Sequence, residues 1–514
     1  MTASVSFPDL DEAALRRLAE EFAFALTPGD TLALEGDLGA GKTTFARALI
    51  RALTGDSVAE VPSPTFTLVQ TYTAPRYDVA HFDLYRLTDA SELDELGYDS
   101  SLGRGIAIVE WPARAGDRLS DQRFTLTLSE GASETLRNVQ LDGPGLLGPR
   151  IRRFAEIHVF LERAGWGGTG TSLSYLQGDA SARRYARLTK TKGDRAILMD
   201  APRQPDGPPV RDGKPYSQIA HLAEDVRAFV AVDLALAHAG FSVPQIFAHD
   251  LAAGLLLIED LGDRVFGREV QSGADQATLW RRAVDVLVAL REVRPSAPLP
   301  LPDVTTHTVP PVDRQSLAIE TELLIDWYWP ALYGNAIPAS ARAEFNAAWD
   351  EIITRLLAAP RGWLLRDYHS PNLIDLPDRS GVRSVGIIDF QDAMIGPEAY
   401  DLVSLLQDAR LDVPPSLEGT LLQYYIREVT RREPDFDAAQ FRFTYYALGA
   451  QRNTKIAGIF ARLAMRDGKR QYLAHMPRIW GYLARDLEAP ELAPLKAWYD
   501  RHIPPGMRGR ALAI

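Results

Sequence analysis

Cysteine is absent from the 514-residue sequence. Its absence excludes disulfide bonds, thiolate metal sites and cysteine nucleophiles. Long apolar runs are missing too: none approaches the roughly 18 residues that a membrane-spanning helix needs. The acidic N-terminal stretch MTASVSFPDLDEAAL does not have the pattern of a signal peptide. We therefore expect a cytoplasmic protein that makes no contact with membranes.

The net charge of −12 is unevenly distributed along the chain. Residues 1–150 contain 13 basic and 23 acidic side chains, whereas the remainder contains 43 and 45. A strongly acidic region is a poor binder of polyanions such as nucleic acid. If the first region acts in nucleic-acid metabolism, we expect it to do so through a protein partner.

A Gly- and Pro-rich stretch, DGPGLLGP at residues 142–149, divides the sequence into two regions. Glycine and proline interrupt both helices and strands, so this stretch predicts a linker. We assign residues 1–145 to a first domain, 146–150 to the linker and 151–514 to a second domain.

The first region alternates strands with helices. Thr31–Glu35 and Ile106–Glu110 are short apolar runs typical of buried strands, and Thr43–Leu53 has the pattern of a helix. Arg123–Leu128 alternates apolar and polar residues, which predicts a strand at the edge of the sheet. Such alternation indicates an α/β sheet.

The second region begins with strand-like segments and becomes mainly helical. Strands are predicted at Tyr185–Thr189, Ala196–Asp200, Gln245–Asp250 and Leu255–Glu259, with a helix at Ala220–Ala239 between them. Beyond residue 276 the pattern is mostly helical. A small sheet-rich lobe followed by a larger helical lobe is the layout of a kinase-like fold.

A phosphate-binding loop follows the first predicted strand. Residues 36–43 read GDLGAGKT, which matches G-x-x-x-x-G-K-[ST] between a strand and a helix. Backbone N–H groups of such a loop surround phosphate oxygens, Lys42 neutralises the phosphates and Thr43 offers its hydroxyl to Mg²⁺. The predicted nucleotide-binding residues are Gly36, Gly39, Gly41, Lys42, Thr43 and Thr44.

Three further strings narrow the function of the first region: SPTF at 63–66, HFDLYRL at 81–87 and IVEWP at 108–112. Together with the phosphate-binding loop, they resemble the ATPase subunit of the bacterial tRNA threonylcarbamoyladenosine synthesis complex, over residues 10–140. Glu110 ends an apolar strand, where a carboxylate is well placed to reach Mg²⁺ directly or through water.

The resemblance implies catalytic roles for Asp83 and Glu110, with Glu110 also a magnesium ligand, and nucleotide-contact roles for Thr65 and Trp111. The alternatives are a turn-capping role for Asp83 and a core-packing role for Trp111. The resemblance also implies that ATP hydrolysis supports turnover by the transferase subunits of that complex. Those subunits are then the expected partners, and the acidic charge argues against tight direct binding of tRNA.

The second region contains the string LLRDYHSPNL at residues 364–373, an Arg-Asp pair with Asn five residues after the Asp. In kinase-like folds this spacing marks the catalytic loop. Asp367 would accept the proton of the attacking hydroxyl, and Asn372 would ligate Mg²⁺. Asp389 ends the next apolar strand, in the place of the second metal-binding carboxylate, and Asp401 is expected to cap a helix and brace the loop.

Two departures from the kinase pattern stand out. Leu365 occupies the position where histidine is usual, and strand Ala196–Asp200 has no lysine to pair with the ATP phosphates. Arg183, Arg184 and Lys190 are the candidates for that charge, and the sequence does not decide among them. The turn at 177–181 is short, so Ser181 is predicted to cover the phosphates, with an ordinary hairpin turn as the alternative.

Residues 172–410 resemble the aminoglycoside-phosphotransferase family. Strings around Gly178–Ser181, Leu198–Pro202 and Gly254–Gly262 are similar to the kinase that phosphorylates the anomeric hydroxyl of N-acetylmuramate and N-acetylglucosamine. This resemblance implies ATP and Mg²⁺ as cofactors and an amino-sugar substrate. It also implies nucleotide contacts from Ser181, Arg184, Glu259 and Leu261, the last two at the hinge beside adenine. Candidate sugar contacts are Trp327, Trp329 and Arg452, each equally consistent with a core or surface position.

The sequence thus predicts an α/β P-loop NTPase domain followed by an α+β two-lobed protein-kinase-like domain. The main hypothesis is a bifunctional enzyme, an ATPase for tRNA modification joined to a sugar kinase. One alternative is that the second domain is a regulatory pseudokinase that binds nucleotide. Another is a kinase for an aminoglycoside, choline or a different small alcohol.

Overall fold

The computed structural model describes residues 2–176, 183–294, 298–510 and 512. The first stretch of elements is β1 Ala3–Leu10, α1 Glu12–Ala23, β2 Thr31–Glu35, α2 Lys42–Thr54, β3 Val69–Tyr72, β4 Asp78–Asp83, α3 Glu92–Glu95, α4 Tyr98–Leu102, β5 Gly105–Glu110, β6 Phe124–Glu130, β7 Arg137–Gly143 and α5 Gly148–Arg163. The next is β8 Thr171–Leu176, β9 Arg184–Lys190, β10 Arg195–Asp200, β11 Pro209–Arg211, β12 Lys214–Pro215, α6 Tyr216–Ile219, α7 Val226–His238, β13 Ile246–Asp250 and β14 Leu255–Glu259.

The remaining elements are mostly helices. They are α8 Phe266–Gln271, α9 Gln276–Leu290, β15 Leu299–Pro300, β16 Thr306–His307, α10 Arg314–Leu323, α11 Trp329–Tyr333, α12 Ala339–Leu357, β17 Arg361–Leu364, β18 Leu373–Asp375, β19 Val385–Ile387, β20 Met394–Pro397, α13 Tyr400–Leu406, α14 Pro415–Arg432, α15 Ala438–Asp467, α16 Met476–Asp486 and α17 Ala493–His502. None of the helices in the described ranges is long and apolar enough to cross a membrane.

The chain falls into two compact units, Met1–Pro202 with Ile246–Asp260 and Arg203–Gln245 with Leu261–Ile514. The first unit holds two sheets. One has seven strands in the order β1-β7-β6-β2-β5-β4-β3, and the other has five in the order β13-β14-β10-β9-β8. The second unit holds most of the helices and four two-stranded sheets.

The centre of the seven-stranded sheet is parallel. β2 pairs in parallel with β5 and β6, and β4 pairs in parallel with β5. These strands are short apolar runs that are buried along most of their length, as expected for a sheet with covered faces. β6 lies between β2 and β7, so the predicted edge position of Arg123–Leu128 is wrong. Its alternating pattern matches an alternation in burial, because Phe124, Leu126 and Leu128 are buried whereas the residues between them are half-buried.

Helix boundaries follow local capping chemistry. The Asp11 carboxylate accepts a hydrogen bond from the Ala14 N–H at 2.8 Å, which fixes the start of α1. Gly55 adopts a left-handed φ of 73° and ends α2. Asp225 caps α7 through the Arg227 N–H, and so this helix begins at Val226, later than the predicted Ala220.

The predicted linker at residues 146–150 has regular structure. A 3₁₀ turn at Gly145–Leu147 leads directly into α5. The first half of α5 places Ile151 and Phe154 in the core of the seven-stranded sheet, and its second half places Phe160 and Leu161 in the core of the five-stranded sheet. One helix thus packs against both sheets of the first unit, and the predicted domain limits stay a prediction.

Candidate active sites

The phosphate-binding loop connects β2 to α2 with a backbone that requires glycine. Gly36, Gly39 and Gly41 have φ values of 138°, 80° and 105°, in the region that side chains rarely adopt. A Cβ atom on Gly36 would also lie 2.5 Å from the Leu128 carbonyl oxygen. The loop leads into the N-terminus of α2, where backbone N–H groups without a partner inside the helix favour the binding of an anion.

Lys42 is buried at the start of α2. Its Nζ donates to the carbonyl oxygens of Gly36 at 2.7 Å and Asp37 at 2.8 Å, and lies 3.7 Å from the centre of the Trp111 ring. Burial lowers the pKa of Lys42, and the negative charges of Glu110, Asp83 and Asp37 oppose that shift. The ammonium group is thus positioned inside the loop by backbone oxygens and an aromatic face.

Glu110 and Thr43 meet where β5 ends beside α2. The Thr43 hydroxyl donates to Glu110 Oε2 at 3.0 Å, and His81 Nε2 lies 2.9 Å from Glu110 Oε1. Glu110 and His81 are both buried. A hydroxyl and a carboxylate in contact beside a phosphate-binding loop are oxygen ligands of the kind that Mg²⁺ prefers, so the predicted pair fits this cation.

Asp83 is fixed by three donors. Its carboxylate accepts from Ser63 Oγ at 2.8 Å, Thr65 Oγ1 at 2.6 Å and the Tyr85 N–H at 3.1 Å. Parallel pairing of β4 with β5 sets Asp83 directly opposite Glu110. The structure therefore brings the predicted residues Thr65, Asp83 and Glu110 to one edge of the sheet.

Sequence reasoning assigned no role to His81 and Ser63, which belong to this arrangement. His81 precedes Asp83 by two residues on β4, and side chains two apart on a strand point to the same face. This spacing of two residues is the sequence signal that could have placed His81 in the site. Trp111 has a left-handed φ of 61° and places its ring between Lys42 and Tyr85, with 5.1 Å between the Trp111 and Tyr85 ring centres.

The second site lies in the loop between β17 and β18. The buried Asp401 carboxylate accepts from the backbone N–H groups of Leu365 at 2.6 Å and Arg366 at 2.9 Å. Burial raises the pKa of Asp401 to about 7, although the two backbone donors oppose the shift. Asp401 therefore braces the loop as predicted, but its side chain makes no capping hydrogen bond to α13.

Arg366 anchors the same loop from the other side. It has a left-handed φ of 73°, and its guanidinium donates to Glu320 Oε1 at 2.5 Å and to the Ala220 carbonyl at 2.9 Å. Burial alone would raise the pKa of Glu320, but the charges of Lys455 and Arg366 hold it at about 2. A buried ion pair thus maintains a strained backbone next to Asp367.

Asp367, Asn372 and Asp389 converge in the second unit. Asn372 Nδ2 donates to the Asp367 carbonyl at 2.9 Å and lies 3.4 Å from Asp389 Oδ2. Gln391 Nε2 donates to Asp389 Oδ1 at 3.0 Å. Within the described ranges, no group donates a hydrogen bond to the Asp367 carboxylate, which leaves it available to a substrate hydroxyl. The oxygen atoms of Asn372 and Asp389 fit Mg²⁺ by their chemistry.

No cluster of three or more His, Cys, Asp or Glu side chains within the described ranges is arranged to hold a metal ion.

The remaining predicted nucleotide contacts belong to other segments of the chain. Ser181 and its turn lie outside the described residues. Arg184 forms an ion pair with the buried Asp200, and its Nη1 donates to the Phe24 carbonyl at 2.9 Å. Glu259 ends β14, and Leu261 begins the next segment of the second unit. Their roles stay predictions.

The three candidate sugar contacts differ in burial and in the groups that they contact. Trp329 is buried, and its ring centre lies 4.6 Å from that of Tyr333, so it packs in the core. Trp327 is half-buried. Arg452 is buried on α15 and donates to the Gln407 carbonyl at 3.4 Å.

Two family profiles match the chain, and each covers one of the two sites. Residues 172–440 match the profile of the phosphotransferase enzyme family, known as APH. The chain belongs to this family. Residues 10–139 match the profile of the threonylcarbamoyl adenosine biosynthesis protein TsaE, so the chain carries a TsaE domain ahead of its phosphotransferase part.

Relatives of both parts are known. The N-acetylmuramate/N-acetylglucosamine kinase of Caulobacter vibrioides is 40% identical over 344 residues, 64% of this chain and 91% of the relative. The kinase of the same name from Pseudomonas aeruginosa is 33% identical and covers 67% of this chain and 95% of its own length. The TsaE protein of Rickettsia conorii is 43% identical over 96 residues, 19% of this chain, and the chain spans 54% of that relative.

Two solved structures are similar to parts of the chain, with low TM-scores. Bacillus subtilis YdiB shares 25% identity at a TM-score of 0.26, covering 30% of this chain and 97% of its own. An ethanolamine kinase from Plasmodium vivax shares 10% identity at a TM-score of 0.45, covering 67% of this phosphotransferase-family chain and 90% of its own.

Proposed function

We propose that the protein is a bifunctional enzyme. Its TsaE domain hydrolyses ATP in support of tRNA threonylcarbamoyladenosine synthesis, and its phosphotransferase domain uses ATP to phosphorylate the anomeric hydroxyl of N-acetylmuramate or N-acetylglucosamine, in cell-wall recycling. The observation that carries the kinase half is the environment of Asp367. Its carboxylate accepts no hydrogen bond from the described residues, and its backbone carbonyl accepts from Asn372, whose Nδ2 lies 3.4 Å from Asp389.

In the TsaE domain the chain supplies three functions. The glycine-shaped loop and the N-terminus of α2 bind phosphate, Lys42 neutralises its charge, and Glu110 with Thr43 orients the magnesium-bearing end of the nucleotide. Asp83, fixed by Ser63 and Thr65, adds a second carboxylate at this edge. Bound Mg²⁺ supplies further neutralisation of phosphate charge.

The proposed partners of this domain are the transferase subunits of the tRNA-modifying complex. Leu38 in the phosphate-binding loop is 79% exposed and Phe66, next to Thr65, is 81% exposed. Large exposed apolar side chains beside an active site commonly mark a protein-binding surface. With the acidic charge of residues 1–150, they support binding to protein rather than tight binding to tRNA.

In the phosphotransferase domain Asp367 orients the sugar hydroxyl and accepts its proton as oxygen attacks the γ-phosphate. Asp401 and the Arg366–Glu320 pair hold the loop so that this carboxylate keeps its position. Asn372 and Asp389 would hold Mg²⁺, which supplies charge neutralisation at the transferred phosphoryl group. Positioning and electrostatics account for most of the catalysis in this reaction class.

Two alternatives remain for this domain. A regulatory pseudokinase is favoured by β10, where no lysine occurs between Arg195 and Asp200. The other alternative is a kinase for a different small alcohol, such as choline or an aminoglycoside. An aminoglycoside is polycationic and is disfavoured because residues 151–514 are nearly neutral overall.

We expect the full-length protein to convert N-acetylmuramate or N-acetylglucosamine, with ATP and Mg²⁺, into the sugar 1-phosphate. Phosphorus and proton NMR identify this product because its phosphorus couples to the anomeric proton. Choline and aminoglycosides serve as parallel substrates. A 6-phosphate product would contradict the anomeric assignment, and nucleotide binding without turnover of any substrate would support the pseudokinase.

A further inference from the structure

Arg452 is a buried guanidinium that has no carboxylate partner among the described residues. It is 5% exposed, and its single hydrogen bond to the described residues is the 3.4 Å contact from Nη1 to the Gln407 carbonyl. Arg366 is equally buried at 5% exposure, but it pairs with Glu320 at 2.5 Å. Burying an unpaired charge is costly, so an unpaired guanidinium retained in the fold points to an anion supplied from outside the chain.

The guanidinium of Arg452 keeps room for a ligand. Nε and Nη2 make no hydrogen bond to the described residues and are not among the fully enclosed side-chain atoms that lack a partner. A guanidinium with two free nitrogens matches a carboxylate, which it binds through two parallel hydrogen bonds.

Arg452 is linked to the catalytic loop through two neighbouring residues. Its partner Gln407 precedes Asp408, and Asp408 Oδ2 accepts from the Ser370 N–H of the loop at 2.8 Å. This chain of contacts connects Arg452 to the loop that carries Asp367.

We propose that Arg452 is a specificity residue that binds a carboxylate on the sugar substrate. This inference rests on the proposed sugar-kinase function. Of the two sugars considered, N-acetylmuramate carries a carboxylate on its lactyl ether, whereas N-acetylglucosamine is neutral. The structure thus assigns this domain a preference for the acidic sugar.

The test compares the two sugars in the full-length protein. Arg452→Gln should lower kcat/KM for N-acetylmuramate about 10- to 100-fold, the range expected for a lost charge-assisted contact, while kcat/KM for N-acetylglucosamine changes much less. Arg452→Lys should fall between, because it keeps the charge but loses the paired geometry. Arg462→Gln, on the same helix and 5.4 Å from the Tyr216 ring, is the matched control and should not discriminate between the sugars.

An equal loss for both sugars in Arg452→Gln would overturn the specificity role and leave the kinase function standing. Failure of the unmutated protein to phosphorylate either sugar would instead overturn the proposed function. A measurement without mutation covers the case of a variant that does not fold: the methyl ester of N-acetylmuramate, which lacks the charge, should be a poorer substrate than the acid. An ester used as well as the acid would contradict the inference.

A second, independent set of contacts joins the TsaE domain to the five-stranded sheet within the first unit. Phe24, at the end of α1, lies in the core formed by Leu173, Leu188 and Leu257 of that sheet. Its ring centre is 5.7 Å from that of Tyr175, and the Arg76 guanidinium lies 3.9 Å from the Tyr175 ring centre.

Polar contacts follow the same boundary. Glu20 on α1 accepts from the Leu173 N–H on β8 at 3.2 Å. The Phe24 carbonyl accepts from Arg184 at the start of β9, and Arg184 also pairs with the fully buried Asp200. Backbone and side-chain groups of α1 therefore hold β8 and β9 directly.

We infer that α1 of the TsaE domain positions strands β8 and β9 of the phosphotransferase part. In the sequence these strands precede and follow the turn at 177–181, which is predicted to cover the ATP phosphates and lies outside the described residues. The first domain is then a structural component of the kinase, which gives a physical reason for the fusion.

Hydrogen exchange on the full chain tests this inference without an activity assay. Phe24→Ala should raise amide exchange across residues 171–190, whereas Phe66→Ala, which removes an exposed phenylalanine of the same domain, should not. Arg76→Ala removes the contact with Tyr175 across this boundary, together with a contact with Tyr77 within the TsaE domain, and covers the case in which Phe24→Ala does not fold. Unchanged exchange at 171–190 in both Phe24→Ala and Arg76→Ala would overturn the inference.

Discussion

Asp367→Asn should lower kcat for sugar phosphorylation by about 100-fold or more, the usual contribution of a positioned general base. The amide keeps the shape of the carboxylate but cannot accept the proton of the sugar hydroxyl. Since no described group donates to the Asp367 carboxylate, the substitution breaks no internal hydrogen bond of that side chain. ATP binding and ATP hydrolysis by the TsaE domain should therefore be unchanged.

The comparison variant is Asp389→Ala. Asp389 touches Asn372 and Gln391 and is proposed to hold Mg²⁺, so its loss should raise KM for ATP as well as lower kcat. Steady-state kinetics with both variants separate the two roles. Undiminished phosphorylation by Asp367→Asn would remove the mechanism, even with the kinase fold intact.

Lys42→Ala should lower the rate of ATP hydrolysis by the TsaE domain by about 100-fold or more. This is the effect expected when a preorganised group that stabilises charge is lost. Lys42 is the cation of the phosphate-binding loop, and burial already keeps it in place between backbone carbonyls and the Trp111 ring. Support of tRNA modification should fall with it, measured by adding the protein to a reconstituted transferase reaction.

Sugar phosphorylation is the internal control for this variant. Lys42 does not contact the five-stranded sheet through any described hydrogen bond or ring contact, so the kinase should retain its activity in Lys42→Ala. The reciprocal control is Asp367→Asn, which should retain ATP hydrolysis. Loss of both activities in Lys42→Ala would show that the two nucleotide sites are not independent.

Much of both sites follows from short-range patterns in the sequence. The loop at 36–43 is defined by glycines whose positive φ values side chains rarely adopt, and by the strand and helix on either side. The spacing of Asp367, Asn372 and Asp389 likewise follows from one loop and the strand pair β18–β19, after which Asp389 lies. Such signals depend on neighbours along the chain, so residue types and spacing are sufficient to find them.

Tertiary structure decided what depends on contacts between distant residues. The pairing of β4 with β5 set Asp83 opposite Glu110 and brought in His81, and the pairing of β6 with both β2 and β7 overturned its predicted edge position. The same applies to Arg452, which the sequence left as core or surface, and to Phe24. The sequence by itself determined the two nucleotide chemistries, because each is encoded locally. Only the fold decided which buried charges have partners and that α1 packs on the five-stranded sheet, because burial and pairing join residues that are far apart in the chain.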